Sequence, residues 1–321
     1  MAWLELLAGG ALLYFGAEWF VGGAAGLARG LRIPELIVGL TVVAYGTSAP
    51  EVIVGVEAAR SGHGTVALGN VIGSNVVNVG LILGLATLIA PAKVDGALRR
   101  RELPMLVVSA ALVPLLLLDG EVSRVEGAVL VGLAVGYSGW MIHAVRGRAL
   151  KEATDAARRI EEATDLAGAP SARSPWRAAG IAAMGLLVLL VGGSLFVRAA
   201  VEVATGLGMG ERLVGLTIVA VGTSLPELIT SVVAARRGSS DIAIGNVVGS
   251  NIFNVLLCLG GAALTAPLQG DLERIGADVV VLLVMTTLAA VFLRSERTMS
   301  RAEGGAVLLV YVAYLGHLVV S

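Results

Sequence analysis

The chain has 321 residues, of which 56% are hydrophobic and only 15% are charged, and its formal net charge is −1. Soluble globular chains carry about 25% charged residues, so this composition leaves almost no room for a soluble domain, and the near-neutral balance gives no reason to expect a nucleic-acid partner. A single cysteine, Cys258, rules out an internal disulfide.

Several apolar stretches run to about 20 residues, enough to cross a hydrocarbon core of roughly 30 Å as a helix. Hydropathy predicts an all-α membrane protein with ten transmembrane helices, at about 3–27, 36–60, 66–90, 104–118, 125–145, 178–203, 212–236, 242–266, 275–293 and 302–320. Residues 1–5 carry no basic segment and the apolar run continues to about residue 28, so it reads as a first span rather than a signal peptide. The fourth span is the shortest and contains Pro104 and Pro114. Residues 146–177 form the one long polar stretch. They are predicted as a linker made of a short charged helix from Ala149 to Leu166 and a loop, with mixed-sign spacings such as Arg158 to Glu162 that suit a solvated helix.

Of the 23 Lys and Arg residues, 18 fall in alternate loops (the first, third, fifth, seventh and ninth) and five lie on the other side. The positive-inside bias therefore predicts both termini outside and 146–177 in the cytoplasm, in a multi-pass cell (inner) membrane protein.

The sequence also repeats itself. Residues 39–84 align without a gap to 215–260, an offset of 176, with 28 of the 46 positions identical. The first copy reads GLTVVAYGTSAPE and then GNVIGSNVVNVGLILG; the second reads GLTIVAVGTSLPE and then GNVVGSNIFNVLLCLG. Five spans per half is an odd number, so the second half must enter the membrane from the opposite side. The expected domains are a first five-helix repeat at 1–145, the linker at 146–177, and an inverted five-helix repeat at 178–321. Transporters built this way place their site near the midplane, at the repeat interface, on broken helices.

Each repeat carries one acid in mid-span, Glu51 and Glu227. An ionisable group at that depth costs at least about 2.5–3.5 kcal/mol on insertion scales, so it needs a partner. No Lys or Arg lies at matching depth in these spans, which leaves a bound cation as the natural counter-charge. Pro50 and Pro226 precede the acids. Having no N–H to donate, they are predicted to free the carbonyls of Gly46 and Gly222 and to kink both helices. Thr47, Ser48, Thr223 and Ser224 add hydroxyls one turn away, and Ser74, Asn78, Ser250 and Asn254 lie on one face of the neighbouring spans. Carboxylate, hydroxyl and carbonyl oxygens suit Na⁺ and Ca²⁺, and poorly suit Zn²⁺ or copper. Asn70, Asn75, Asn246 and Asn251 are expected in interhelical hydrogen bonds, and Gly69/Gly73, Gly80/Gly84 and Gly245/Gly249 in close helix packing. Glu18 has no repeat equivalent, since Ser194 stands in its place, and is assigned a structural or gating role. Arg198 and Glu202 are expected to pair. His63, His143 and His317 are read as loop or interfacial residues. No nucleophile–base pair or zinc motif appears, so an enzyme is not expected.

The paired G-T-S-x-P-E and G-N-V-[IV]-G-S-N motifs resemble the alpha-repeats of the cation/calcium antiporter superfamily, and are most similar to prokaryotic sodium/calcium exchangers. The resemblance implies exchange of Na⁺ for Ca²⁺ by alternating access, with no cofactor and no obligatory protein partner. It further implies that Glu51 and Glu227 are shared carboxylates, that Thr47, Ser48, Thr223 and Ser224 are ligands beside them, and that Asn78 belongs to the central site. Ser74, Ser250, Ala44 and Ala220 match donors at outer Na⁺ positions, and the first and sixth spans match a sliding gating bundle. Asn254 departs from the many exchangers that carry Asp there. The nearest rival is a Ca²⁺/H⁺ antiporter of the same superfamily, which tends to carry Asn-Ala before the acid where this chain has Thr-Ser-x-Pro; a non-transporting ion sensor is the rival from another class.

Overall fold

A computed structural model of the chain describes residues 1–93, 96, 98–162, 175–209, 220–295 and 298–320. The described residues are nearly all helical, as lipid demands: backbone N–H and C=O groups there must be satisfied within the segment. The helices are α1 (Ala2–Leu31), α2 (Glu35–Thr47), α3 (Ala49–Arg60), α4 (Gly64–Ile89), α5 (Leu103–Leu116, entered through a π turn at Leu98–Glu102), α6 (Arg124–Glu162) and α7 (Pro175–Gly206). They continue with α8 (Ala220–Gly222), α9 (Leu225–Arg236), α10 (Ser240–Thr265), α11 (Leu272–Ser295) and α12 (Arg301–Val320).

Among the described residues, six helices are long and apolar enough to cross a bilayer, and the bent pair α2–α3 makes a seventh. The other three expected spans are the 14-residue α5, the pair α8–α9, whose expected beginning at 212–219 lies outside the described residues, and α12. One expectation is corrected here. No separate helix starts at Ala149; α6 runs unbroken from Arg124 to Glu162, because nothing between residues 143 and 162 is a helix breaker other than the tolerated Gly147. The rest of the expected linker, 163–174, lies outside the described residues.

α4 and α10 form the centre: their most apolar stretches are 72% and 94% buried, against 22–33% for α1, α6, α7 and α11. The outer helices turn large side chains such as Leu4, Phe15, Leu133 and Leu187 outward, as a lipid-facing surface requires.

The 176-residue offset recurs in the structure. Helices stop on left-handed residues at Arg32 (φ 54°) and its equivalent Gly208 (φ 85°), and again at Gly62 (φ 79°) and Gly238 (φ 78°). Four two-residue strands pair across the halves: β1 (Ala92–Lys93) with β4 (Thr298–Met299), and β2 (Glu121–Val122) with β3 (Leu268–Gln269). Since β3 is β1 shifted by 176, exchanging the halves maps one pairing onto the other to within a residue.

The most intimate helix contact joins α1 to α7. A Cβ added at Gly9, Gly16 or Gly23 would lie 2.7, 2.5 and 2.4 Å from the backbone nitrogens of Phe196, Leu189 and Ala182. Reciprocally, a Cβ at Gly185 or Gly192 would lie 2.3 Å from the nitrogen of Phe20 or 2.6 Å from that of Leu13. The glycines recur every seven residues on both helices, the repeat of a left-handed helix pair, and glycine lets the backbones touch. α1 and α7 are thereby clamped into one unit. Elsewhere Gly80 and Gly84 pack on α12, and Gly245 and Gly249 on α2, as expected. Gly69 and Gly73, expected in close packing too, meet nothing within 4 Å among the described residues.

Candidate ion-binding site

Both site-bearing segments break where the sequence puts Thr-Ser-x-Pro. α2 ends at Thr47, Ser48 leaves the helical region (φ −82°, ψ 4°), and α3 restarts at Ala49, bent by 43°. Ser224 does the same (φ −88°, ψ 8°) between α8 and α9. The predicted kink is thus a full break. Pro50 and Pro226 sit in the first turn of the new helix, where a missing N–H costs nothing. Glu51 and Glu227 consequently stand at helix N-termini, where unpaired N–H groups and the helix dipole favour negative charge.

The two acids come together by exchanging partners across the halves. Ser48 Oγ donates to Glu227 Oε1 at 2.8 Å, and Ser224 Oγ donates to Glu51 Oε1 at 3.2 Å. Glu51 is 1% exposed and Glu227 0%. The backbone is pinned as well: Asn70 Nδ2 donates to the Glu51 carbonyl at 3.2 Å, and Asn246 Nδ2 to the Glu227 carbonyl at 3.3 Å. Each acid therefore has its backbone and one carboxylate oxygen held, while the other oxygen, Oε2, is buried without a hydrogen-bond partner. The buried Glu102 differs, since it accepts a hydrogen bond from the Tyr137 hydroxyl.

Three further expected site residues present a buried oxygen without a partner: Asn78 Oδ1, Thr223 Oγ1 and Ser250 Oγ. Such atoms are rare in folded proteins, and each costs about 1–3 kcal/mol if nothing binds it. Thr47 Oγ1 lies 3.0 Å from Asn246 Oδ1 and 3.1 Å from the Val43 carbonyl. Ala44, Ser74 and Asn254 are buried, and Ala220 is the first described residue of α8. Among the described residues no group of three or more His, Cys, Asp or Glu side chains gathers in one place. The arrangement is an all-oxygen donor set with two carboxylates, a fit for hard cations.

α4 and α10 each switch to a π turn at the site asparagine, over Asn78–Leu83 and Asn254–Leu259, a distortion that π turns commonly bring to functional positions. The two asparagines nevertheless differ. Asn254 donates to Asn75 Oδ1 at 3.1 Å and accepts from Cys258 Sγ at 3.4 Å, while Asn75 Nδ2 reaches the Asn251 carbonyl at 3.3 Å. Both polar atoms of Asn78 are unpartnered. The Cys258 contact has no counterpart, since Cys258 corresponds to Ile82, whereas Asn75 has an identical equivalent in Asn251, whose Oδ1 Asn78 does not reach.

The α1–α7 unit abuts the site at two glycines. Space beside Gly46 is filled by Leu186 and Phe20, and space beside Gly222 by Val197. Glu18 of α1 forms an ion pair with Arg237, at the end of α9. The expected Arg198–Glu202 pair is not formed; Arg198 Nε donates instead to the Ser194 carbonyl at 3.3 Å, folding back along its own helix.

The sodium/calcium exchanger protein family matches this chain over residues 1–143 and 177–320. The chain is 37% identical over 317 residues to the putative antiporter CaxA of Alkalimonas amylolytica, covering 98% of this chain and 97% of that protein. It is 30% identical over 344 residues to the sodium/calcium exchanger MaX1 of Methanosarcina acetivorans, covering 97% of each. Among solved structures it is similar to the sodium-calcium exchanger NCX_Mj soaked with Na⁺ and Ca²⁺, with a TM-score of 0.83 and 30% identity over 98% of this chain and 97% of that one. With a family match over both 1–143 and 177–320 and relatives aligned along nearly their whole length, this chain belongs to the sodium/calcium exchanger family.

Proposed function

We propose that the protein is a secondary active antiporter that exchanges Na⁺ for Ca²⁺ by alternating access, with Glu51 and Glu227 as the shared carboxylates. The observation that carries this reading is the reciprocal Ser48–Glu227 and Ser224–Glu51 pairing, which fixes one oxygen of each buried acid and leaves the other unpartnered. Two carboxylates neutralise one Ca²⁺ or two Na⁺. Thr47, Ser48, Thr223, Ser224, Asn78, Ser74 and Ser250 supply neutral oxygens, and Ala44 and Ala220 supply backbone carbonyls. Asn254 is proposed as a secondary member of the same set, because its amide is tied to Asn75 and its Oδ1 already accepts from Cys258. No cofactor or obligatory protein partner enters this scheme.

In this reading the chain has ten spans arranged as two inverted five-helix repeats, 1–145 and 178–321, joined by the cytoplasmic linker 146–177, with both termini outside a cell membrane. The strand pairings exchanged by the repeat and the two helix breaks at equivalent serines support the inversion. The arginine bias supports the orientation. α1 and α7, clamped by their glycines, slide as one body past α2–α3 and α8–α9, the small-displacement shear that packed helices allow. Coupling follows from electrostatics. Carrying an uncompensated carboxylate pair through a closed, dry state costs several kcal/mol per charge, so the unit crosses only when Na⁺ or Ca²⁺ fills the site.

The test is radiolabelled Ca²⁺ uptake by purified protein in liposomes, driven first by an outward Na⁺ gradient and then by a pH gradient. Uptake with the Na⁺ gradient alone is expected; uptake with the pH gradient alone would replace Na⁺ coupling with H⁺ coupling. A second expectation separates the two asparagines. Losing an oxygen that binds a charged group removes about 1.5–3 kcal/mol, so Asn78→Ala is expected to raise the half-saturating Ca²⁺ concentration by at least roughly tenfold. Asn254→Ala, which removes a bond to Asn75, is expected to change it much less. Equal effects in that titration would show that Asn78 and Asn254 serve the ion alike.

A further inference from the structure

The two halves share their ion-site chemistry but not their outer contacts. Glu18 of α1 pairs with Arg237 at the end of α9. The guanidinium reaches Glu18 by lying across Gly22, one turn along α1, where a Cβ would stand 2.7 Å from Arg237 Nη1. Three positions thus build the contact: an acid, a glycine that leaves room, and an arginine at the mouth of α9. Shifted by 176 residues, all three are lost, because Ser194 stands for Glu18, Arg198 for Gly22 and Ser61 for Arg237. The residues at the equivalent places turn to their own helices: Arg198 to the Ser194 carbonyl, and Ser61 to Glu57 at 3.4 Å.

An inverted repeat makes the inward-open and outward-open states mirror exchanges of one another, so identical halves would leave them equal in energy. Any contact present in one half alone biases that equality. Arg237 lies in the loop that the arginine bias assigns to the cytoplasm. We propose that Glu18–Arg237 is a one-sided latch, which ties the α1–α7 unit to the site-bearing α9 on the cytoplasmic face and must part before the site opens there. This rests on the exchange reading above. The latch favours the state open to the outside, where it raises apparent Ca²⁺ affinity, at the expense of affinity from the cytoplasm. The pair is partly exposed, at 25% for Glu18 and 39% for Arg237, so its bias is modest, since such pairs shift an equilibrium by roughly twofold to fivefold.

Oriented vesicles test it: half-saturating Ca²⁺ for Na⁺-driven exchange is measured from each face, and the ratio between faces is read. Glu18→Gln and Arg237→Gln are each expected to move the ratio roughly twofold to fivefold toward the cytoplasmic face. Gly22→Leu, which displaces Arg237 while keeping both charges, is expected to do the same. The charge exchange Glu18→Arg with Arg237→Glu is expected to restore the wild-type ratio. The triple variant Ser61→Arg, Ser194→Glu, Arg198→Gly grafts the latch onto the opposite face and is expected to move the ratio outward. Single variants that lose activity equally from both faces, with no rescue by the exchanged pair, would reduce Glu18–Arg237 to a structural contact while leaving the exchange reading intact. Wild-type vesicles without Na⁺-driven exchange would remove both.

Discussion

Glu51→Gln and Glu227→Gln are each expected to abolish Na⁺-driven Ca²⁺ uptake while leaving a folded protein that is no less heat-stable without ions. Gln keeps the shape of the acid and an oxygen that can accept from Ser224 or Ser48, so the reciprocal pairing survives. What changes is charge. With one carboxylate gone, a bound Ca²⁺ leaves a net positive charge in a site whose acids are 1% and 0% exposed, and an uncompensated buried charge costs several kcal/mol. A loss of about 3 kcal/mol already lowers occupancy more than 100-fold, which puts uptake below detection in liposomes. Stability in the absence of ions moves the other way, since replacing one of two neighbouring buried acids by a neutral amide removes repulsion. Because a ligand that binds only the folded state stabilises it, the wild type is expected to gain melting temperature as Ca²⁺ is added, and the Gln variants to lose that gain. Uptake within a few-fold of wild type by either variant would remove that acid from the ion site.

Most of the site was legible because the sequence prints it twice. Thr-Ser-x-Pro-Glu carries its own geometry: the proline forbids continuation of the first helix, the serine takes the break, and the acid falls in the first turn of the next helix. Asn70 and Asn246 were readable as interhelical donors, though not as donors to the carbonyls of the two acids. The reciprocal exchange of serines across the halves was not legible, because it depends on how two breaks 176 residues apart face each other. Nor was the Glu18–Arg237 pair, since residues 219 apart in sequence leave no local signal. The continuation of α6 into the polar stretch was misread for a different reason: the change from apolar to charged residues marks a change of solvent, which a helix crosses without stopping.

The α1–α7 clamp was legible and overlooked. Ala2, Gly9, Gly16 and Gly23 recur every seven residues, as do Ala178, Gly185, Gly192 and Ala199, and the second series is the first shifted by 176. Gly185→Ala is expected to lower the melting temperature by roughly 2–12 °C. A Cβ there would lie 2.3 Å from the Phe20 nitrogen, a distance no side chain tolerates, so α1 must move away. Overpacking of this kind costs about 1–3 kcal/mol, which corresponds to that shift at roughly 2–4 °C per kcal/mol. Gly180→Ala, on the same helix, meets nothing within 4 Å, and alanine is the better helix former, so no loss is expected there. Gly185→Leu goes further: by prying α1 from α7 it would leave Gly46 without its Phe20 and Leu186 cover, and exchange is expected to be lost even though no proposed ion ligand has been touched. Thermal unfolding in detergent and Na⁺-driven uptake, measured on the same preparations, read the two effects. A Gly185→Leu protein that exchanges at the wild-type rate would mean that the two helices do not need to move as one body.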